Sequence, residues 1–410
     1  MSVSKVFVYN PTCEIAISNG TVSYMPNKTL TKFEQDLDLL PMYFATENDV
    51  MLVHQLPDQK FMDLISEAGF KLPDIIKTSD ILSDPITILS SKIEFHPWGW
   101  SPRIHHIYKD LKPFCSEDFL NQPNAYWKET HKELYSRQTA LHVLNDFFKE
   151  HKKGYFDEQK KARICRSVEE IEALIAEWGQ IIIKAPWSSS GRGLQVLRYS
   201  YLNESITQWI NGTLEAQGYV MIEALLHKNF DFSLQYYCDG KGKLEYLGPG
   251  FFQTNSNGQY DGNLLGGMPQ ELKNHLSEGT LKELSDGMFK AIAKSAIANN
   301  YCGYLGVDCM IIEDENGENK IHPCVEINLR YNMGTLAICL DKYIHQDSCG
   351  AFKINFKPKE SFDDFHNKMK NEYPFEMKDG KWYSGYLPLV SPYQNKKFGL
   401  YLLLNKKEEA

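Results

Sequence analysis

The chain has 410 residues, 42% of them hydrophobic and 24% charged, which suits two or three globular domains with a well-buried core. Its formal net charge of -9 argues against a nucleic-acid-binding surface, which needs a basic footprint. A small anionic ligand remains compatible, because a few local cations suffice to hold one.

The opening residues carry no apolar signal core, and no later stretch reaches the length of a membrane span. A cytoplasmic protein without membrane partners is expected. The nine cysteines are scattered and form no CxxC pair, which favours reduced, buried thiols over a zinc site or a disulfide framework.

Residues 3–9 and 50–53 read as buried strands, 57–68 as a helix and 86–89 as a further strand. That alternation predicts an α/β layer with a largely parallel sheet over residues 1–130. The connection His96-Pro97-Trp98-Gly99-Trp100-Ser101-Pro102 is either a packed loop or a pocket lining. Residues 131–152 place Leu134, Leu141, Leu144 and Phe148 on one helical stripe. Ser167 with Glu170 is a capping-box signature ahead of a helix, and Thr280 with Glu283 repeats it. Short β segments are expected at 181–185, 194–197, 219–225 and 232–237. The polar run 254–267 reads as a loop long enough to require a functional explanation. Beyond residue 355, a charged helical stretch precedes two apolar β-like segments, 382–389 and 398–404. The sequence gives them no role.

The P-loop, dinucleotide-binding, zinc-protease and serine-hydrolase signatures are absent. The run 314–319 is not a calcium loop, because Ile312 would stand where the first oxygen ligand is needed. A sharper signal lies on either side of Asn316-Gly317, a strong hairpin cue. A hairpin centred near residue 317 places Asp308 opposite Glu326, with roughly 5 Å between Cβ atoms. Alternation along the strand puts Glu326, Asn328 and Arg330 on one face. Two opposed carboxylates in apolar strands repel and lose hydration, and a hard divalent cation removes both penalties. The amide oxygen of Asn328 can complete the protein's share of a magnesium shell. The alternative is a solvent-facing hairpin with incidental charges.

A second signal is the β-branched run ending in Lys184, followed by Ser188, Ser189, Ser190, Gly191, Arg192 and Gly193. A lysine closing an apolar strand needs an anionic partner. Successive backbone N–H groups of a Ser/Gly loop can form a concavity for phosphate oxygens, with Arg192 at its mouth. An ordinary hairpin loop gives the same pattern.

The order of lysine strand, Ser/Gly loop, apolar strand ending in Glu223-Ala224-Leu225-Leu226, Asp308 and then Glu326-x-Asn328-x-Arg330 resembles the ATP-grasp superfamily. The loop 188–193 is similar to the phosphate loops of its biotin carboxylase and formate-dependent transformylase branches. The resemblance covers about residues 131–345. It implies an α+β ATP-grasp domain at 131–355, with a small lid at about 160–225. An α/β domain at 1–130 would precede it, and an extension at 356–410 would follow. On the resemblance, Lys184 would hold the α- and β-phosphates with Arg137 as an earlier basic contact, and residues 188–193 would close over them. The backbone of Ala224 and Leu226 would read the adenine edge, and Asp231 the ribose. Asp308, Glu326 and Asn328 match magnesium ligands. Arg330 would steady the transferring phosphoryl or the activated acyl group, so that Arg330, Asn328 and Lys184 carry the catalysis. The implied activity is ATP- and Mg2+-dependent ligation of a small-molecule carboxylate to an amine. A small-molecule kinase and a nucleotide sensor remain as alternatives, and a homodimer is left open. The acceptor would contact Asn255, Asn257, Asp261 and Asn263.

Overall fold

The computed structural model describes residues 3–188, 193–254 and 260–407. Four strands, β1 (Val3–Val8), β2 (Val50–Val53), β3 (Asp74–Lys77) and β4 (Lys92–Pro97), form a wholly parallel sheet in the order β3-β2-β1-β4. Parallel strands are covered on both faces, which is why β2 is an unbroken buried run. A second sheet is antiparallel: β5 (Arg163–Cys165), β6 (Ile181–Lys184), β7 (Leu194–Leu197) and β8 (Val220–Ala224), in the order β5-β8-β6-β7. Its inner face has a separate small core that includes Ile171, Ile175, Ile183 and Ile222.

The remaining strands make one nine-stranded antiparallel sheet. They are β9 (His227–Asp239), β10 (Leu244–Thr254), β11 (Tyr260–Leu265), β12 (Cys302–Glu313), β13 (Asn319–Asn328), β14 (Ser348–Phe356), β15 (Glu376–Lys378), β16 (Lys381–Pro388) and β17 (Phe398–Lys406). Their order is β13-β12-β9-β10-β11-β14-β17-β16-β15, so residues beyond 356 extend the same sheet. Two cores share the parallel sheet. Val6 and Val8 join helices Arg137–Phe148 and Glu278–Lys294, whereas Phe7 joins β16, β17 and helix Phe362–Glu372. The fold is thus a mixture of parallel α/β and antiparallel α+β layers. No described helix is long and apolar enough to cross a membrane.

Several sequence expectations need correction. Residues 85–88 are helical, because Pro85 opens a turn whose Thr87 N–H is capped by the Asp84 carboxylate at 3.2 Å. The fourth parallel strand is β4 instead. The single helix expected at 131–152 is two, Glu129–Leu134 and Arg137–Phe148, and the Arg137 N–H donates outside the helix to the Pro186 carbonyl. Helix Glu278–Lys294 starts before Thr280, since Ser277 Oγ accepts from the Thr280 N–H. The polar stretch 254–267 contains β11, paired with β10 and β14, and is not one loop. Asn255 and Asn257 lie outside the described residues.

Candidate active site

The central strands β12 and β13 pair with Asp308 opposite Glu326 and Gly306 opposite Asn328. The turn alone does not set this register. Near the turn, Glu313 pairs with Asn319 and Met310 with His322, a spacing that would carry Asp308 opposite Cys324. An irregularity between Asp308 and Met310 shifts the pairing, at a point where Pro323 has no N–H to offer the ladder. Asn328 Nδ2 donates to Asp308 Oδ2 at 3.0 Å. Burial, and next to it Glu326, push the Asp308 carboxyl up to about 7.

Arg330 leaves the end of β13 and meets the N-terminal layer. Its Nε donates to Glu14 Oε1 at 2.9 Å, and its Nη2 to Glu14 Oε2 at 3.4 Å and Asn328 Oδ1 at 2.8 Å. Burial, the largest single influence, works against its charge, but Glu14, Cys13 and Asp308 together outweigh it and raise its pKa above the usual arginine value. Glu14 sits on the short helix Cys13–Asn19 that follows β1. Asp308, Glu326, Asn328 and Arg330 therefore line one cavity of about 280 Å³ between the parallel sheet and the nine-stranded sheet. Tyr9, Glu14, Trp98, Phe252 and Tyr260 share that lining.

On the smaller antiparallel sheet, Lys184 is buried and its Nζ lies 2.6 Å from Glu223 Oε2. Arg137 fastens this sheet to β13. Its Nη1 donates to the Ala185 carbonyl and to Ser188 Oγ, both at 2.6 Å, while Nη2 reaches Glu326 Oε1 at 3.0 Å. Lys184 also acts on His322 of β13, which burial first and then that cation hold at about 3, so the imidazole is neutral. Arg137 Nε and His322 Nδ1 are buried without a partner among the described residues.

The chain matches no protein-family model and no curated protein. Solved structures do align over its whole length. Biotin carboxylase of Campylobacter jejuni, solved as a β-γ-ATP complex, matches 99% of this chain and 88% of its own at 13% identity and TM-score 0.53. The biotin carboxylase domain dimer of the Hydrogenobacter thermophilus 2-oxoglutarate carboxylase, solved with MgADP, ADP and bicarbonate, matches 99% and 87% at 12% identity and TM-score 0.50. A Rhizobium etli pyruvate carboxylase variant, solved with acetyl coenzyme-A, matches 100% of this chain and 36% of its own, at 14% identity and TM-score 0.53. The chain has the ATP-grasp fold.

Within this ATP-grasp fold, Lys184, Glu223, Arg137, Ser188, Glu326, Asp308, Asn328 and Arg330 form one connected region. Ala224 pairs with Ile181, and the Leu225 N–H donates to the Gln180 carbonyl, so the 223–226 segment leads from β8 into β9. Leu226 packs at the edge of the main core. Asp231 Oδ2 is held by Lys228 at 2.5 Å and Thr254 Oγ1 at 2.7 Å. Asn263 lines the cavity, but its amide is engaged by the Phe251 carbonyl and the Tyr260 hydroxyl. Asp261 turns instead to Lys353 at 2.8 Å, outside the cavity lining. The Gly193 carbonyl accepts from the Ala185 N–H at the stem of the loop, whereas Ser189, Ser190, Gly191 and Arg192 lie outside the described residues. The sequence reading missed Glu14. Its one signal is its place just after a parallel strand, where α/β sheets present ligand groups.

Proposed function

We propose that this protein is an ATP- and magnesium-dependent ligase that activates a carboxylate as an acyl phosphate and transfers the acyl group to an amine. The observation that carries this reading is the meeting of two facing carboxylates, an amide and an arginine in one cavity beside a buried lysine. The donor set fits magnesium: all its ligating atoms are oxygens, and Asp308 is held near 7 by burial beside Glu326, a penalty a divalent cation relieves. No three His, Cys, Asp or Glu side chains converge among the described residues, so Asp308, Glu326 and the Asn328 amide are the protein's ligands in this reading. Magnesium, when bound, supplies charge neutralisation for phosphate oxygens.

Lys184 and Arg137 would bind phosphate, with the loop 188–193 supplying backbone N–H groups. The backbone at Ala224 and Leu226 would meet the base, and Asp231 would leave Lys228 and Thr254 to meet a ribose. In balanced form, a carboxylate oxygen bonds to the γ-phosphorus and the β–γ bridging bond breaks, its electron pair leaving on ADP. The amine nitrogen then bonds to the acyl carbon, inorganic phosphate departs and the nitrogen loses a proton to solvent. The chain's part is orientation and charge stabilisation, with no protein nucleophile. Arg330, held by Glu14, would steady the acyl phosphate.

Protein, ATP, magnesium and hydroxylamine, given a panel of carboxylic acids, should yield ADP and a hydroxamate. ADP release independent of any acid, or a stable phosphorylated product, rejects the ligase reading. Removing Lys184 alone strands the Glu223 carboxylate, a loss on the order of 3–5 kcal/mol for a buried pair. The double change Lys184→Met with Glu223→Gln avoids that and should weaken ATP binding by about 10- to 100-fold in calorimetry. Unaltered affinity removes Lys184 from the nucleotide site.

A further inference from the structure

The charged residues of the cavity lining, Glu14, Asp308, Glu326 and Arg330, gather at one end, and the polar Thr254 and Asn263 beside the rings are already hydrogen-bonded within the protein. The cavity's other walls are Tyr9, Phe33 and Trp98 from the N-terminal layer, Phe252 and Tyr260 from β10 and β11, and Ile354 from β14. Tyr9 meets Trp98 edge-on at 5.0 Å between ring centroids and lies 6.4 Å from Phe33. Across the cavity, Phe252 and Tyr260 lie 6.5 Å apart. Phe33, Phe252, Tyr260 and Ile354 are only partly buried, so apolar surface is left at the cavity wall. Rings set in such pairs offer edges and faces to a further ring.

The charges narrow the ligand further. Arg330 is the one lysine or arginine among the described lining residues, against Glu14, Asp308 and Glu326. Glu14 covers the Nε side of Arg330, while Nη1 meets only the Tyr331 carbonyl, at 3.4 Å. One carboxylate can therefore be received at Nη1. A second anionic group farther along would be desolvated against rings with no cation to meet it.

We propose that the acid activated here is an aryl monocarboxylic acid. Its carboxylate sits at Arg330 and the Asp308–Glu326 end, and its ring between the Tyr9–Trp98 and Phe252–Tyr260 pairs. A cavity of about 280 Å³ suits an acid of one or two rings. This assignment rests on the ligase reading above.

The test gives the full chain, with ATP, magnesium and hydroxylamine, four acids separately: trans-cinnamate, phenylacetate, hexanoate and glutarate. Hydroxamate formation should be about tenfold or more faster, in kcat/KM, with the aryl acids than with hexanoate. It should be undetectable with glutarate. Phe252→Ala should erase most of that preference while leaving the KM for ATP unchanged. Phe252→Leu, which keeps the packing volume, should lose the aryl preference but retain the fold. Faster turnover of hexanoate or glutarate overturns the aryl assignment and leaves the ligase reading standing. Calorimetric binding of cinnamate, lost in Phe252→Ala but without hydroxamate from any acid, supports the aryl site and rejects the ligase reading. The absence of both binding and turnover of the aryl acids overturns the proposal.

Discussion

Asp308 and Glu326 face each other across two strands, but their surroundings differ in sign. Asp308 has an amide donor at 3.0 Å and is otherwise enclosed, so its charge is disfavoured and its carboxyl stands at about 7. Glu326 has the Arg137 guanidinium at 3.0 Å. Neutralising the first therefore removes a repulsion, whereas neutralising the second leaves a buried arginine facing an amide. Asp308→Asn should raise the melting temperature in metal-free buffer at pH 8. Glu326→Gln should lower stability by roughly 1.5–3 kcal/mol, the worth of a hydrogen bond between charged groups. Both should lose magnesium-dependent ATP turnover. Scanning calorimetry with and without magnesium checks this, and equal destabilisation by both changes contradicts the asymmetry. At this scale the sequence was legible where partners share a strand pair: alternation alone set Glu326, Asn328 and Arg330 on one face. It did not disclose the Glu14–Arg330 or Arg137–Glu326 pairs, which join residues 316 and 189 positions apart. The placement of Asp308 opposite Glu326 agreed only because the irregularity near Pro323 offsets a turn centred at residue 316, one residue earlier than the symmetric hairpin assumes.

Elements fix the cavity through close approach. Helix Met333–Asp341 begins immediately after the Arg330–Asn332 segment and lies on β9 and β10. It gets near because Gly334 and Gly250 have no side chains: a Cβ on Gly334 would stand 2.3 Å from Gln235 Nε2 and 2.9 Å from Ser233 Oγ. Ser233 is the β9 residue paired with Asp308, and Gln235 Oε1 accepts from Thr335 Oγ1 at 3.0 Å, so this contact reaches the site. Gly334→Ala should push the helix off the sheet at a cost of about 1–3 kcal/mol, as overpacking does. Turnover should fall along with the melting temperature, whereas Gly212→Ala, inside helix Glu204–Gln217 with open space around its Cβ position, should leave turnover unchanged and hold or slightly raise the melting temperature. A normal melting temperature in Gly334→Ala contradicts the packing argument. Element type was readable at β2 and β6, whose four-residue runs are not opened by a proline. It failed at 85–88, where a four-residue apolar stretch fits a strand or a helical turn and a local cap decides. It failed again at 254–267, where β11 takes its pairing from β14, about ninety residues away in sequence.

At the scale of the molecule, the C-terminal strands close over the N-terminal layer. The Asp36 carboxylate accepts from the Lys397 and Phe398 N–H groups, at 2.7 and 3.0 Å, and Lys396 Nζ donates to the Asp36 carbonyl at 2.9 Å. Trp382 Nε1 donates to the Ala68 carbonyl at 2.7 Å, and the Tyr43 hydroxyl to the Leu389 carbonyl at 2.8 Å. Nothing in the spacing of two apolar segments at the chain's end foretells contacts spanning more than 300 positions. Beside this seam lies Asp38, whose Oδ2 accepts from the His54 N–H at 2.7 Å and whose Oδ1 is buried with no hydrogen-bond partner among the described residues. Lys396 Nζ stands 4.0 Å from it, too far for a direct bond. Burial raises the Asp38 carboxyl to about 6, with Lys396 offsetting part of the effect. The folded protein thus holds a proton between about pH 4 and 6 that the unfolded chain has already released. This group's contribution is therefore most favourable below about pH 4, and stability falls as pH rises through 6. The loss above pH 6 is on the order of 3 kcal/mol for a shift of this size. Asp38→Asn keeps an acceptor for the His54 N–H and has no charge to desolvate. Its urea-unfolding free energy should lose most of that fall between pH 4.5 and 6.5, and the variant should equal or exceed the parent at pH 7.5. Parallel pH profiles for parent and variant would show that Asp38 is ionised at no cost, with Lys396 compensating its burial in full.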